Sequence, residues 1–137
     1  MNIVNNLVDA LQYPEAKNIL MEKLKIFPND TEVLDTLSEV LIALNETKEA
    51  INLINKSIQI EPNKNAEKYM SLGQLSQYRE SLKCYKKGIE IYSAELNILV
   101  NNNLSNPENE EKIKKIKSDL ASAYSTIAEL YMDSDLW

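Results

Sequence analysis

Apolar positions along this chain recur every three to four residues nearly from end to end, and the breaks in that rhythm divide it into helices. Ile3, Val4, Leu7, Val8 and Leu11 share one face at the 3.6-residue period, so residues 2–12 read as a helix. Pro14, tolerated in a first helical turn, opens the next helix, and Pro28 follows its end. Ala16 and Pro28 then recur 34 residues later as Ala50 and Pro62, each alanine followed four residues on by an apolar side chain, Leu20 and Ile54. In the second copy Leu34, Leu37, Ser38 and Leu41 lie on one stripe. Asp30 or Thr31 is placed to cap the helix that carries them, and Asn45 to Thr47 form the turn before the next helix.

The third copy is altered. Ser81 arrives eight residues after Gly73, whereas twelve separate Ser38 from Ala50, so the first helix of this copy is about one turn short. The second is long, since Leu82, Tyr85, Ile89, Tyr92, Leu96 and Leu99 keep alternating steps of three and four up to Val100. After a break from Asn101 to Asn109, Ile113, Ile116, Leu120, Ala123, Ile127 and Leu130 resume the same rhythm. The pattern predicts seven helices, near 2–12, 14–26, 31–44, 47–60, 65–76, 79–101 and 109–133. The last two form an antiparallel pair longer than the others.

Composition narrows the class without naming a chemistry. Two glycines and four prolines in 137 residues, with little β-branched alternation, argue for an all-α chain. The net charge is -6; residues 1–62 hold ten acids against five bases, residues 63–107 four against six, and residues 108–137 seven against four. Such a surface repels nucleic acid and anionic lipid and attracts basic polypeptide, so neither direct nucleic-acid binding nor membrane binding is expected. Cys84 is the sole cysteine, which forbids a disulfide within the chain and fits a reducing compartment. Met1 to Gln12 lacks the basic start and continuous apolar run of a signal peptide. Without secretion, the glycosylation patterns Asn45-Glu46-Thr47, Asn55-Lys56-Ser57 and Asn103-Leu104-Ser105 carry little weight.

The 34-residue period, with Leu34-x2-Leu37-Ser38-x2-Leu41, Ala50-x3-Ile54 and Pro62, resembles the tetratricopeptide (TPR) repeat; Tyr69-x2-Leu72-Gly73 and Tyr124-x2-Ile127-Ala128-x2-Tyr131 fit its opening as well. The resemblance implies a right-handed TPR superhelix, an α-solenoid of about three and a half repeats, with residues 1–137 as a single TPR domain that forms the N-terminal part of a longer superhelix. Such units stack because none buries its apolar face alone, and stacking creates a concave binding surface. Tyr69, Tyr85, Tyr92, Tyr124 and Tyr131 take core places in that pattern. The last repeat stops at Trp137 before its second helix, so self-association through the face carrying Tyr124, Ile127, Leu130 and Tyr131, or fraying after about residue 130, is expected.

Two blocks are more specific. Glu67-Lys68-Tyr69-Met70-Ser71-Leu72-Gly73-Gln74-Leu75, with Glu80-Ser81-Leu82 and Tyr85 to Glu90, resembles the TPR-type dedicated assembly chaperones of large-subunit ribosomal protein four, as does Ser122-Ala123-Tyr124 with Ile127 to Met132. The chain departs from that family after Met132, where Asp133-Ser134-Asp135-Leu136-Trp137 contains no cysteine. The resemblance implies a chaperone that binds a basic loop of a newly made ribosomal protein and escorts it into ribosome assembly, moving between cytoplasm and nucleus. A generic TPR scaffold or adaptor for another protein is the alternative reading.

In TPR superhelices the binding surface comes from the first helix of each repeat. Glu32, Asp35 and Glu39, spaced by three and four, project along one stripe of that helix in the second repeat. Glu67 takes the place of Glu32 in the third repeat and Glu129 that of Glu39 in the fourth, while Asn5, Gln74 and Ser125 offer neutral hydrogen bonds at equivalent places. The expected protein-binding face is thus Glu32, Asp35, Glu39, Glu67, Gln74, Ser125 and Glu129, against a solvated helix face as the plain explanation of the acids. A clamp for the acidic tails of heat-shock chaperones needs Lys and Asn donors where this chain has Asp35 and Glu39. Lys112, Lys114, Lys115 and Lys117 follow Glu108, Glu110 and Glu111 at helical spacing and read as a salt-laced exposed helix rather than an anion patch. With no histidine, no phosphate-binding glycine loop and no nucleophile with a base, an enzyme is not expected, nor any cofactor. Asp133 and Asp135 lack the glycine and closing glutamate of a calcium loop, so no metal is expected.

Overall fold

The computed structural model describes residues 2–10, 12–102 and 106–133 of the chain. Expectations placed on Leu11, on the Asn103 glycosylation pattern and on Asp135 to Trp137 lie outside these residues. Seven α-helices and no strands are found among the described residues: α1 (Asn2–Asp9), α2 (Tyr13–Ile26), α3 (Thr31–Ala43), α4 (Thr47–Ile60), α5 (Ala66–Leu75), α6 (Tyr78–Asn101) and α7 (Pro107–Asp133). They group into two compact units, Met1–Asn63 with α1 to α4 and Lys64–Trp137 with α5 to α7.

In the first unit the stripes read from sequence meet in one core. Val4 of α1, Ala16 and Leu20 of α2, Val33, Leu37, Val40 and Leu41 of α3, and Ala50 of α4 form a single buried cluster. Each buried Leu, Ile or Val contributes roughly 1.5–3 kcal/mol relative to exposure. The repeated alanines are small enough to let neighbouring helices approach, and both are fully buried. Asp30 caps α3, its Oδ1 accepting from the Glu32 and Val33 amides at 3.0 and 3.4 Å. At the other end Asn45 stands at φ 63°. There the Glu46 amide donates to the Leu41 carbonyl at 2.8 Å and the Asn45 amide to the Ile42 carbonyl at 3.0 Å, the Schellman arrangement that satisfies two orphan carbonyls. Lys17 Nζ lies 2.7 Å from Glu46 Oε2, tying α2 to the turn before α4. The hydrogen bond to Glu46 raises the Lys17 ammonium pKa against the opposing effect of desolvation.

The second unit is built around a short helix beside two long ones. At 10 residues α5 is three shorter than the 13-residue α3, the missing turn expected from the early arrival of Ser81. Its C-terminal carbonyls are satisfied by hydroxyls: Ser76 Oγ donates to the Leu72 carbonyl at 2.6 Å, and Ser81 Oγ, reaching back from α6, lies 2.7 Å from the Gly73 carbonyl and 2.8 Å from that of Ser76. Gly73 has a packing reason as well. A Cβ there would stand 3.0 to 3.2 Å from three atoms of the Tyr85 ring, so the bare Cα is what lets the ring lie against α5. Asn106 caps α7, its Oδ1 accepting from the Asn109 amide at 2.8 Å, and Pro107 fills the first helical position. The long pair is present as expected, α6 with 24 residues and α7 with 27.

Tyr69, Tyr85 and Tyr92 are buried, but Tyr124 and Tyr131 are 57% and 42% exposed, which corrects their reading as core. The repeat pattern thus marks the face of α7 on which they lie, not the depth of their burial.

Ser81→Ala is expected to lower the unfolding free energy by about 1–2 kcal/mol, because it removes the buried hydroxyl that serves the Gly73 and Ser76 carbonyls at the end of α5. Gly73→Val is expected to lower it by about 1–3 kcal/mol through displacement of the Tyr85 ring. Ser125→Ala, on the exposed face of α7, should stay within about 0.5 kcal/mol of the parent. Urea unfolding followed by circular dichroism measures all three.

Candidate functional site

The seven residues expected to bind protein divide between the units. Glu32, Asp35 and Glu39 belong to the first and share one stripe of α3, on the side left over after Leu34, Leu37 and Leu41 turn inward. Glu32 and Glu39 are exposed; Asp35 is half-buried, which corrects its expected surface position and makes it a structural as well as a candidate recognition residue. The shift follows from its neighbours, since a residue at the edge of a stripe lies partly under the next row of side chains.

Glu67, Gln74, Ser125 and Glu129 belong to the second unit. Glu67 and Gln74 open into one groove of about 210 Å³ between α5, α6 and α7, shared with Met70, Asp119, Ser122 and Thr126. Ser125 and Glu129 are exposed further along α7. Glu67 is not a free acid: its Oε1 lies 3.7 Å from Lys115 Nζ. Lys115 in turn lies 3.0 Å from Asp119 Oδ2. Lys112 pairs with Glu108 at 3.5 Å, as the salt-laced reading of α7 implies, but Lys115 reaches Asp119 and α5 rather than Glu111.

Sequence reasoning missed two features here. Lys68 precedes Tyr69 as Val33 precedes Leu34 and Ala123 precedes Tyr124, and all three are 3% exposed, so a lysine occupies a packing place of the repeat with its ammonium 6.0 Å from the Tyr69 ring centre. Aligning the repeats would have flagged it. The other is a second groove, of about 400 Å³, where α5 begins against the long pair. Its wall includes Tyr92 and Asp119. Burial first, then the charges of Asp119, Glu67 and Glu95, push the Tyr92 hydroxyl pKa well up. Glu95, also in this groove, has its carboxyl pKa raised by desolvation and then by Glu67. The bond to Asp119 raises the Lys115 ammonium pKa.

Covalent chemistry finds little support among the described residues. Cys84 is buried, and desolvation raises its thiol pKa, which disfavours the reactive thiolate. Among the described residues no group of three acids or thiols is placed to hold a metal ion, and no helix is long and apolar enough to cross a membrane.

Solved structures match this arrangement of helices closely. The assembly chaperone of RpL4 (Acl4, residues 1–338) aligns with a TM-score of 0.91 at 18% identity, over 99% of this chain and 54% of that one. The first TPR of Spaghetti (RPAP3) bound to an HSP90 peptide aligns at 0.61 and 17% identity, over 88% and 89%. The Sgt2 TPR domain from Aspergillus fumigatus aligns at 0.60 and 16% identity, over 90% and 78%. The fold is a TPR solenoid. This chain spans about half the length of the Acl4 structure. No family model and no curated protein matches the sequence. In TPR terms α1, α3, α5 and α7 are first helices of repeats, and every candidate residue lies on one of them.

The raised Glu95 pKa has a consequence for stability. The folded chain disfavours the Glu95 carboxylate, so its ionisation costs stability as pH rises through the carboxylate range, and the cost vanishes below the unfolded pKa. Glu95→Gln is therefore expected to stabilise at pH 7, by less than about 1 kcal/mol because solvent screens an exposed carboxylate. The gain should disappear as the pH falls to about 4. Urea unfolding of both chains at the two pH values reads the difference.

Proposed function

We propose that this chain is a polypeptide-binding TPR module that acts as a dedicated chaperone, holding a basic loop of a newly made ribosomal protein and escorting it from cytoplasm to nucleus. The observation that carries the reading is the fit of 0.91 over 99% of the chain to an assembly chaperone of a ribosomal protein, where two other TPR structures fit at 0.61 and 0.60. Charge supports it. The exposed Glu32 and Glu39 flank Asp35 on the first helix of a repeat, and the first 62 residues carry an acid excess of five, ten against five. A stripe of this sign attracts lysine and arginine and repels a peptide carboxylate, which argues against the chaperone-tail clamp.

Titration calorimetry with a lysine and arginine rich loop peptide of large-subunit ribosomal protein four tests the reading. A variant carrying Glu32→Lys, Glu39→Lys and Asp35→Asn keeps the half-buried position isosteric while reversing the exposed charges. It should lose binding while retaining helicity. Parent binding should weaken steeply between low and physiological salt, as the Debye length falls from about 30 Å at 0.01 M to about 8 Å at 0.15 M. Salt-independent binding, or a variant that binds as well as the parent, would contradict the acidic-face mechanism.

A further inference from the structure

The mismatch in helix length within the second unit leaves a corner uncovered. Gly73 packs on Tyr85 and Ala66 approaches Gly88, so α5 runs antiparallel to the first half of α6 and its N-terminus reaches only to the neighbourhood of Tyr92. Beyond Tyr92, α6 runs on for nine residues to Asn101, about 13 Å at 1.5 Å per residue, without the cover of α5. The α6 and α7 side chains beyond that point close on each other from two sides, and the third side is open. The 400 Å³ groove lies there, with Leu99 and Ile116 in its apolar wall and Ile98, 61% exposed, beside them.

The charges around this wall do not balance. Lys115 stands between Glu67 and Asp119, and Lys112 is engaged by Glu108. Among the described residues no cation lies within ion-pair distance of Glu95, which therefore faces the groove as an unmatched carboxylate beside two others. Three acids of the lining (Glu67, Glu95, Asp119) against two lysines (Lys112, Lys115), one of them also paired with Glu108, leave the groove net negative, a field that disfavours phosphate and favours a cation.

Glu95 and Leu99 are four residues apart on α6, so they lie on one face with about 6 Å between them. An extended chain places residues i and i+2 on one side at roughly 6.6 Å. We propose that this corner is a second docking site for polypeptide, taking an extended segment in which a lysine or arginine and a leucine or isoleucine are two residues apart. The cation sits on Glu95 and the aliphatic side chain enters between Leu99 and Ile116. The site is separate from the α3 stripe and shares with the proposed function only the premise that the partner is a basic polypeptide.

Fluorescence anisotropy with the full chain tests it, using as probe a short fluorescein-labelled Gly/Ser peptide that contains one Leu-Ser-Arg. Saturable binding is expected, weakened about fivefold or more by Glu95→Lys and by Ile98→Ser, and less by Glu95→Gln. Both positions are exposed, so circular dichroism should show unchanged helicity. A probe with adjacent Leu-Arg, which splits the two side chains between opposite sides, should bind more weakly. The variant with reversed charges on α3 should bind the probe within about twofold of the parent, which separates this site from that one. Absence of saturable binding, equal binding of a Leu-Ser-Glu probe, or affinity lost through the α3 variant and not through Glu95→Lys would overturn the proposal.

Discussion

The contact of the Tyr85 ring with the bare Cα of Gly73 sets the geometry of the second unit. It brings α5 and α6 close enough for Ser81 to reach the Gly73 carbonyl at 2.7 Å, and that bond helps to end α5 after 10 residues. A helix stopped so early cannot cover a 24-residue partner, so α7 must supply the remaining contact and grows to 27 residues to do so. The uncovered corner beside Glu95 follows from the same constraint. A larger residue at position 73 would push the ring away, and with it the registration of all three helices.

Most of this architecture was legible because apolar spacing and breaker residues agree. Leu34, Leu37 and Leu41 mark a face, Asp30 marks its start and Asn45 its end, and each device appears in the structure in the role its chemistry suits. The short α5 was legible as an arithmetic fact, eight residues where twelve were expected. Its physical cause was not, since the Ser81 bond and the Tyr85 contact join residues eight and twelve apart across a turn. Tyr124 and Tyr131 show the opposite limit: the repeat pattern reports which face a residue lies on, and only the fold reports whether anything covers it.

The candidate site was legible in part. The charges of Glu32 and Glu39 on one stripe follow from helical spacing alone, whereas the half-buried state of Asp35 depends on its packing. Glu67 looked like a free acid until α7 placed Lys115 against it at 3.7 Å. Glu95 gave no signal, because its place in a second helix carried no expectation of recognition; it matters only because α5 ends its cover near Tyr92. Electrostatics in this chain is thus decided less by the overall -6 than by which acids have a lysine within reach.

An amide-resolved NMR titration of the isotope-labelled chain with the basic ribosomal loop peptide tests the central claim, that the first helices of the repeats carry the recognition surface. Shifts are expected at Glu32, Asp35 and Glu39 of α3 and around Glu67 of α5, growing with peptide and collapsing at high salt. Saturating binding with the shifts confined to α2 and α4, around Met21 and Asn52, and none on α3, would contradict it.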